Sequence, residues 1–178
     1  MANDLGLALG TSEVNLLELT AGYAPFANGG VAAVPYGILD VVTTDGRVLY
    51  QRQGGGLGRA ADPEYIGMMN RMLAKTMITG TGKSAQLDRP SAGKTGTSQD
   101  YRDAWFVGYT PDYISGVWIG NDEGKGMRGV TGGGLPAKVW RDVMLEAHRG
   151  APATALAGWL PPKPVDPLTR FWRRLTGG

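Results

Sequence analysis

The sequence predicts an α+β fold in which an antiparallel sheet is flanked by helices. Three observations carry that expectation. Apolar residues recur at helical spacing in three separate stretches. Two strongly apolar stretches, 104–109 and 113–121, are separated only by Thr110-Pro111-Asp112. A turn that short reverses the chain and makes the two strands antiparallel. With 178 residues, 42% hydrophobic and 19% charged, the chain has enough material for one domain with a core.

The first helix starts after Asn15, which can cap it, with Glu18 where a capping-box partner belongs. Leu16, Leu19, Tyr23, Phe26 and Ala27 share one face, and Gly29-Gly30 ends the helix. Pro25 lies within the pattern and predicts a kink or a shortened last turn. Residues 36–50 read as a hairpin, with strands at 38–43 and 47–50 around Thr44-Asp45-Gly46. A glycine-rich connector spans 51–61.

The second helix starts with Asp62 as N-cap and Pro63 at the first helical position. Ile66, Met69, Leu73 and Met77 form its apolar stripe, and Gly80 and Gly82 end it. Residues 93–97, 104–109 and 113–121 are strands. Apolar residues on both faces of the last two predict inner strands covered on two sides, with Trp105, Phe106, Trp118 and Ile119 in the core. The third helix spans 136–148, with Trp140, Val143, Met144 and Ala147 as its buried stripe. The chain from Gly150 is rich in alanine and proline and reads as a mobile tail ending in Phe171-Trp172-Arg173-Arg174. The expected division is therefore 1–149 for the folded part and 150–178 for the tail.

Composition narrows the chemistry. A net charge of +2 gives no electrostatic footprint for nucleic acid or a membrane. Cysteine is absent, which removes disulfides and thiol-based metal or redox sites. His148 is the only histidine, which removes a multi-histidine zinc site and argues against a catalytic triad. It sits at a helix end, where its charge suits the dipole, and no catalytic role is assigned to it. No metal or other cofactor is expected. No signal-peptide pattern and no apolar run of membrane-spanning length occurs. Thr79-Gly80-Thr81-Gly82-Lys83-Ser84 looks like a phosphate loop but has Met77 where the first glycine belongs. It also follows a helix rather than a strand, so a glycine-rich turn is the favoured reading.

The stretch of greatest chemical interest is Ser91-Ala92-Gly93-Lys94-Thr95-Gly96-Thr97-Ser98. It places a lysine and several hydroxyls among glycines on a strand. Arg102 and Asp103 are read as a local ion pair with a structural role. Lys125 and Arg128 lie in a glycine-rich loop, 124–134, where a solvated role is at least as good as guidance of an anion.

Over about 7–144 the chain resembles the C-terminal part of the transpeptidase domain of class A penicillin-binding proteins. Lys94-Thr95-Gly96 corresponds to one of the three motifs of acyl-serine transpeptidases and serine β-lactamases. The resemblance is carried by an ordered series. It runs through LALGTSEV at 7–14, YAPFANGG at 23–30, GTGK at 80–83, AGKTGT at 92–97, DYRDAWFVGYTP at 100–111, WIGND at 118–122 and TGG at 131–133.

The resemblance implies a sheet of the penicillin-binding type, incomplete on its N-terminal side, and a peptidoglycan cross-linking D,D-transpeptidase acting through an acyl-serine. Peptidoglycan stem peptides and β-lactams are the implied ligands, with the rest of the same domain as a partner and no nucleic acid. Lys94 and Thr97 are the implied catalytic residues. Lys94 supplies positive charge, and the Thr97 N–H is one of two oxyanion donors. Thr95, Gly96 and Thr97 are the implied substrate-binding residues. The hydroxyls meet a carboxylate, and Gly96 lets an extended peptide lie close to the strand. The family acts at the extracytoplasmic face of the cytoplasmic membrane, reached through a segment upstream of this sequence.

Two motifs of the family are not found. Ser91-Ala92-Gly93-Lys94 spells S-x-x-K, but Pro90, Gly93 and Gly96 make a poor helix and Lys94 is already committed to the strand motif. Ser12, Ser84, Ser98 and Ser115 have no lysine three residues on, and no S-x-N occurs. The chain therefore reads as one wall of an active site, inactive alone. The alternative is a non-catalytic module that binds peptidoglycan peptides through the strand at Lys94.

Overall fold

The computed structural model describes residues 13–54 and 56–158. The 7–12 portion of the first matching stretch and the end at Phe171-Trp172-Arg173-Arg174 lie outside the described residues. Helix α1 spans Leu16–Ala27, strands β1 and β2 span Asp40–Val42 and Val48–Gln51, and helix α2 spans Pro63–Ile78. Strands β3, β4 and β5 span Ala92–Thr97, Asp103–Tyr109 and Ile114–Gly120, and helix α3 spans Leu135–Ala147.

The sheet has the order β3-β4-β5 and is antiparallel throughout. Its register sets two faces. On one face lie Ala92, Lys94 and Gly96 of β3, Trp105, Val107 and Tyr109 of β4, and Gly116 and Trp118 of β5. Thr95, Thr97, Ala104, Phe106, Gly108 and Val117 lie on the other.

Helix α1 lies over the first face, where Tyr23 and Phe26 meet Tyr109 at ring separations of 6.4 Å. Asn15 caps α1 as its sequence predicts, its side chain accepting a 2.8 Å bond from the Glu18 N–H. The helix runs through Pro25 to Ala27, so the proline does not shorten it. It contains no fully buried residue, because its apolar stripe is only half covered.

Helix α3 covers the other face. Trp140 is buried against Phe106, and its indole N–H is shared between the carbonyls of Gly108 and Ser115, both at 3.1 Å. A Cβ on Gly108 would stand 2.7 Å from the Trp140 ring, so only glycine lets this helix seat so closely. The buried stripe of α3 is Pro136, Ala137, Trp140 and Met144, whereas the expected Val143 is exposed and Ala147 faces solvent.

Helix α2 packs against the start of β3, at Ala92 and Gly93. It carries Ile66, Asn70, Leu73, Ala74 and Met77 inward and contributes to the cores on both faces. Asp62 has extended backbone at the cap position but makes no side-chain capping bond. Around Gly46, at φ +88, β1 and β2 form the predicted hairpin, with a register shift between Val41 and Val42. Its first strand starts at Asp40, two residues later than expected, and every residue of both strands is exposed.

Two further expectations are corrected. Strand β5 is an edge of the described sheet and not an inner strand, with α1 and α3 rather than another strand beside it. Trp118 is accordingly exposed and Trp105 half-buried, while Phe106 is core. The stretch after Gly150 does not begin as a loose tail. Leu156 is buried, and the carbonyls of Ala157 and Gly158 accept bonds from Asn70 and Arg71 of α2 at 3.0 and 3.3 Å.

Candidate functional site

Among the described residues strand β3 has one strand neighbour, β4, so one row of its backbone groups faces away from the sheet. The alternation is fixed at both ends. The Ser98 N–H donates inward to the Asp103 carbonyl at 3.0 Å, while the Gly93 carbonyl accepts from Thr76 Oγ1 on the α2 side. Antiparallel pairing alternates between the two sides, so the backbone groups of Thr95 and Thr97 point to the free edge.

Lys94 projects from the face that carries Trp105 and Trp118, and its Nζ folds back to donate to the outward Thr95 carbonyl at 2.9 Å. The ammonium is thereby held at the strand edge. Thr95 and Thr97 point to the opposite face. Thr95 Oγ1 lies 2.6 Å from Thr81 Oγ1, and Thr97 Oγ1 accepts from the Gly132 N–H at 3.0 Å. The four residues singled out in the sequence thus do not converge on one face. They meet only along the free edge, with the ammonium on one side and two hydroxyls on the other. Gly96 backs onto Trp105, its hypothetical Cβ 3.2 Å from that side chain.

Beneath Lys94 lies a cavity of about 760 Å³ between the start of α1 and the sheet. Leu16, Leu19 and Tyr23 form one wall, and Trp105, Val107 and Trp118 form its floor. The two tryptophan rings lie 6.3 Å apart at a tilt of 55°. Sequence reasoning placed both indoles in the core. Their alternation with Phe106 and Ile119 was the available sign that they belong to a different face.

Asp103 does not pair with Arg102 as expected. Its carboxylate accepts from Ser98 Oγ and from the Trp118 indole N–H, both at 2.9 Å. Arg102 turns outward to Asp100 at 3.8 Å, an exposed pair of little energetic weight. Lys125 pairs with Glu123, and Arg128 is exposed. The loop they occupy is tied down elsewhere. The Met127 N–H donates to the Tyr101 carbonyl at 2.9 Å, and Gly132 packs on the backbone of Gly96 and Trp105.

His148 caps the C-terminal end of α3, at a helix end as expected. It is buried, with Nδ1 2.7 Å from the Met144 carbonyl and Nε2 2.9 Å from Thr110 Oγ1, far from the Lys94 edge in sequence and packed at the β4–β5 turn. A carbonyl can only accept, so Nδ1 carries a proton. Ser91 immediately precedes β3, to which Lys94 belongs, so the two do not share a helix face. Thr79 ends α2, and 80–82 turn into a short 3-10 segment, Lys83–Ala85, as a connector would. Among the described residues no group of three or more His, Asp or Glu is placed to hold a metal ion. No helix among them is long and apolar enough to cross a membrane.

The sequence and the fold both have relatives. Residues 3–145 match the family model described as the penicillin-binding protein transpeptidase domain. Penicillin-binding protein 1A of Neisseria lactamica is 38% identical over 159 residues, a match covering 85% of this chain and 20% of the relative. Penicillin-binding protein 1A of Aquifex aeolicus is 39% identical over 148 residues, with 82% and 20% covered. The chain therefore spans about a fifth of the length of these relatives. The solved structure of the penicillin-binding protein PonA1 from Mycobacterium tuberculosis superposes with a TM-score of 0.72 at 28% identity, covering 92% of this chain and 48% of that one. An antiparallel sheet flanked by helices, an outward-facing Lys-Thr-Gly strand and a match over nearly the whole folded part lead to one assignment: the chain belongs to the penicillin-binding protein transpeptidase domain family.

Proposed function

We propose that this chain supplies the Lys94–Thr97 wall of a peptidoglycan D,D-transpeptidase. Acyl transfer then proceeds when the S-x-x-K and S-x-N motifs are brought to the cavity beneath Lys94. The observation that carries the reading is the parity of β3, which turns the Thr97 N–H to a free edge beside the Lys94 ammonium. An N–H there can receive the oxygen of a carbonyl as a serine adds to it. The ammonium stabilises the same developing charge, and an extended peptide can pair with the outward groups of Thr95 and Thr97.

In this reading the serine hydroxyl attacks the penultimate D-alanine carbonyl of a stem peptide. Terminal D-alanine leaves with a proton, and an amine from a second strand resolves the acyl-serine to give the cross-link. The hydroxyls of Thr95 and Thr97 take a substrate or β-lactam carboxylate. The half-covered stripe of α1 and the indole floor leave apolar surface for the nucleophile-bearing segment to bury. No cofactor enters the chemistry. The site of action is the extracytoplasmic face of the cytoplasmic membrane.

The test is reconstitution. This chain is mixed with the preceding part of a class A transpeptidase domain, incubated with a fluorescent penicillin and run on a denaturing gel. A covalent band on the serine-bearing partner, seen only in the mixture and lost with Lys94→Ala, is the expected result. A band on this chain alone would overturn the reading and send attention to Ser91. Reversible binding of a D-Ala-D-Ala peptide by this chain alone, with no band in the mixture, would favour a binding module.

A further inference from the structure

We infer that Asp103 is a positioning residue that sets the end of strand β3, and with it the Thr97 amide and hydroxyl. The inference rests on the function proposed above for its consequence, and on geometry alone for its physical content. Three strands meet at this carboxylate. One oxygen accepts from Ser98 Oγ and the other from the Trp118 indole N–H, both at 2.9 Å. The Asp103 N–H returns a 2.8 Å bond to Ser98 Oγ, and the Ser98 N–H pairs with the Asp103 carbonyl at 3.0 Å. Asp103 thus fixes the residue immediately after Thr97 from both its backbone and its side chain, and anchors it across β4 to β5.

The need for such an anchor lies in the turn that follows. Asp100 and Tyr101 both adopt left-handed backbone, at φ 59 and φ 55, where residues with side chains are disfavoured. A strained turn directly beyond Thr97 would relax by fraying the strand end unless something held its base. The clamp at Ser98 and Asp103 closes that base. At the tip the turn is met by the β5–α3 loop, through Met127 N–H on the Tyr101 carbonyl. The same loop delivers the Gly132 N–H to Thr97 Oγ1. Loosening Asp103 therefore loosens Ser98, which follows Thr97, and the loop whose Gly132 N–H holds the Thr97 hydroxyl. Ser98, Asp103 and Trp118 line the cavity beneath Lys94 and not the outward edge at Thr97, so their effect on the Thr97 amide passes through the strand.

The experiment has two arms on Asp103→Ala, Asp103→Asn and Trp118→Phe. In this chain alone, amide hydrogen exchange is followed at Ser98 and Gly132, with Phe106 as an internal reference. Asp103→Ala is expected to speed exchange at Ser98 and Gly132 at least tenfold while Phe106 stays protected. Asn at position 103 can still accept from the indole and bond Ser98, so it should recover most of that protection. Trp118→Phe keeps a packed ring and removes only the N–H donor, so it decides the matter should Asp103→Ala fail to fold. In the reconstituted pair, Asp103→Ala should lower the first-order acylation rate by about tenfold to a hundredfold, the scale on which a displaced group acts, and through the loosened Gly132 raise the penicillin concentration for half-saturation several-fold. Unchanged exchange at Ser98 and Gly132 in both Asp103→Ala and Trp118→Phe overturns the inference whether or not the pair acylates. A wild-type pair that forms no acyl-enzyme overturns the proposed function instead, and the exchange arm still decides the role of Asp103.

Discussion

Tyr109 donates a 2.6 Å hydrogen bond to Asn70 Oδ1, and neither side chain reaches water. The Asn70 amide nitrogen donates in turn to the carbonyls of Phe26 and Ala157, each at 3.0 Å. One buried amide therefore ties α2 to β4, to the end of α1 and to the chain after α3. Tyr109→Phe leaves Asn70 Oδ1 without its donor in an apolar setting. A loss of about 1–3 kcal/mol is expected, the cost of an unsatisfied buried acceptor, read as a lower urea midpoint with an unchanged slope.

The same phenol makes stability fall at alkaline pH. Burial pushes the Tyr109 pKa well above its ordinary value of about 10, with the neighbouring Tyr23 phenol adding to the effect, and burial raises Tyr23 as well. Above the ordinary phenol pKa the unfolded chain releases protons that the folded chain keeps. The contribution is therefore complete below about pH 10 and is lost as pH rises toward the folded value. Melting temperatures across the alkaline range should drop steeply in the wild type and less steeply in Tyr109→Phe.

These two residues show what the sequence could and could not disclose. The elements around them were legible because their signals are local: Asn15 and Asp62 before helical stripes, Asp45-Gly46 in a hairpin and Thr110-Pro111-Asp112 between strands. The Lys94–Thr97 strand was legible for the same reason. The Asn70 junction joins residues 39 to 87 positions apart and has no local signature. Trp118 misled because apolar residues on both faces of β5 reflect two different coverings, α1 with an open cavity on one side and α3 on the other. The clamp at Asp103 was hidden by adjacency. Arg102 is the obvious partner in sequence, but it closes the 3-10 turn before β4 with helical backbone and reaches Asp100 instead.

The segment after α3 offers a test of its standing as part of the fold. Leu156 is buried in the cluster of Leu73, Ala74, Ala92 and Tyr109. Arg89 holds the Ala151 carbonyl at 3.2 Å, and Thr154 Oγ1 donates to Asp112 at 3.0 Å. Leu156→Ala should cost about 2–5 kcal/mol, as for other buried leucines. A variant ending at Gly150 should lose at least as much, since it also strips the Ala157 carbonyl from Asn70. Thermal melts of the two variants check this. Wild-type stability in the shortened chain would show that the segment merely rests on the domain.

The last prediction concerns the loop over Lys94-Thr95-Gly96. Gly132 sits against the carbonyls of Trp105 and Gly96, where no Cβ can fit without moving backbone. Its N–H is also the donor to Thr97 Oγ1. Gly132→Ala must therefore lift the loop, since the sheet beneath it is held by paired strands. Gly132 is buried, so some stability is lost, but most of the loop before it is exposed and α3 stays seated through Trp140. The Thr97 hydroxyl, released from Gly132, should lose its fixed orientation. In the reconstituted pair this predicts weaker capture of a β-lactam carboxylate, seen as a several-fold rise in the penicillin concentration needed for half-maximal labelling. Asp103→Ala should lower the acylation rate as well, whereas Gly132→Ala leaves Ser98 held by Asp103, so the two variants separate the proposed carboxylate binding by the Thr97 side chain from the proposed oxyanion stabilisation by its backbone. Equal effects of both variants on rate and affinity would show that the strand end moves as one piece.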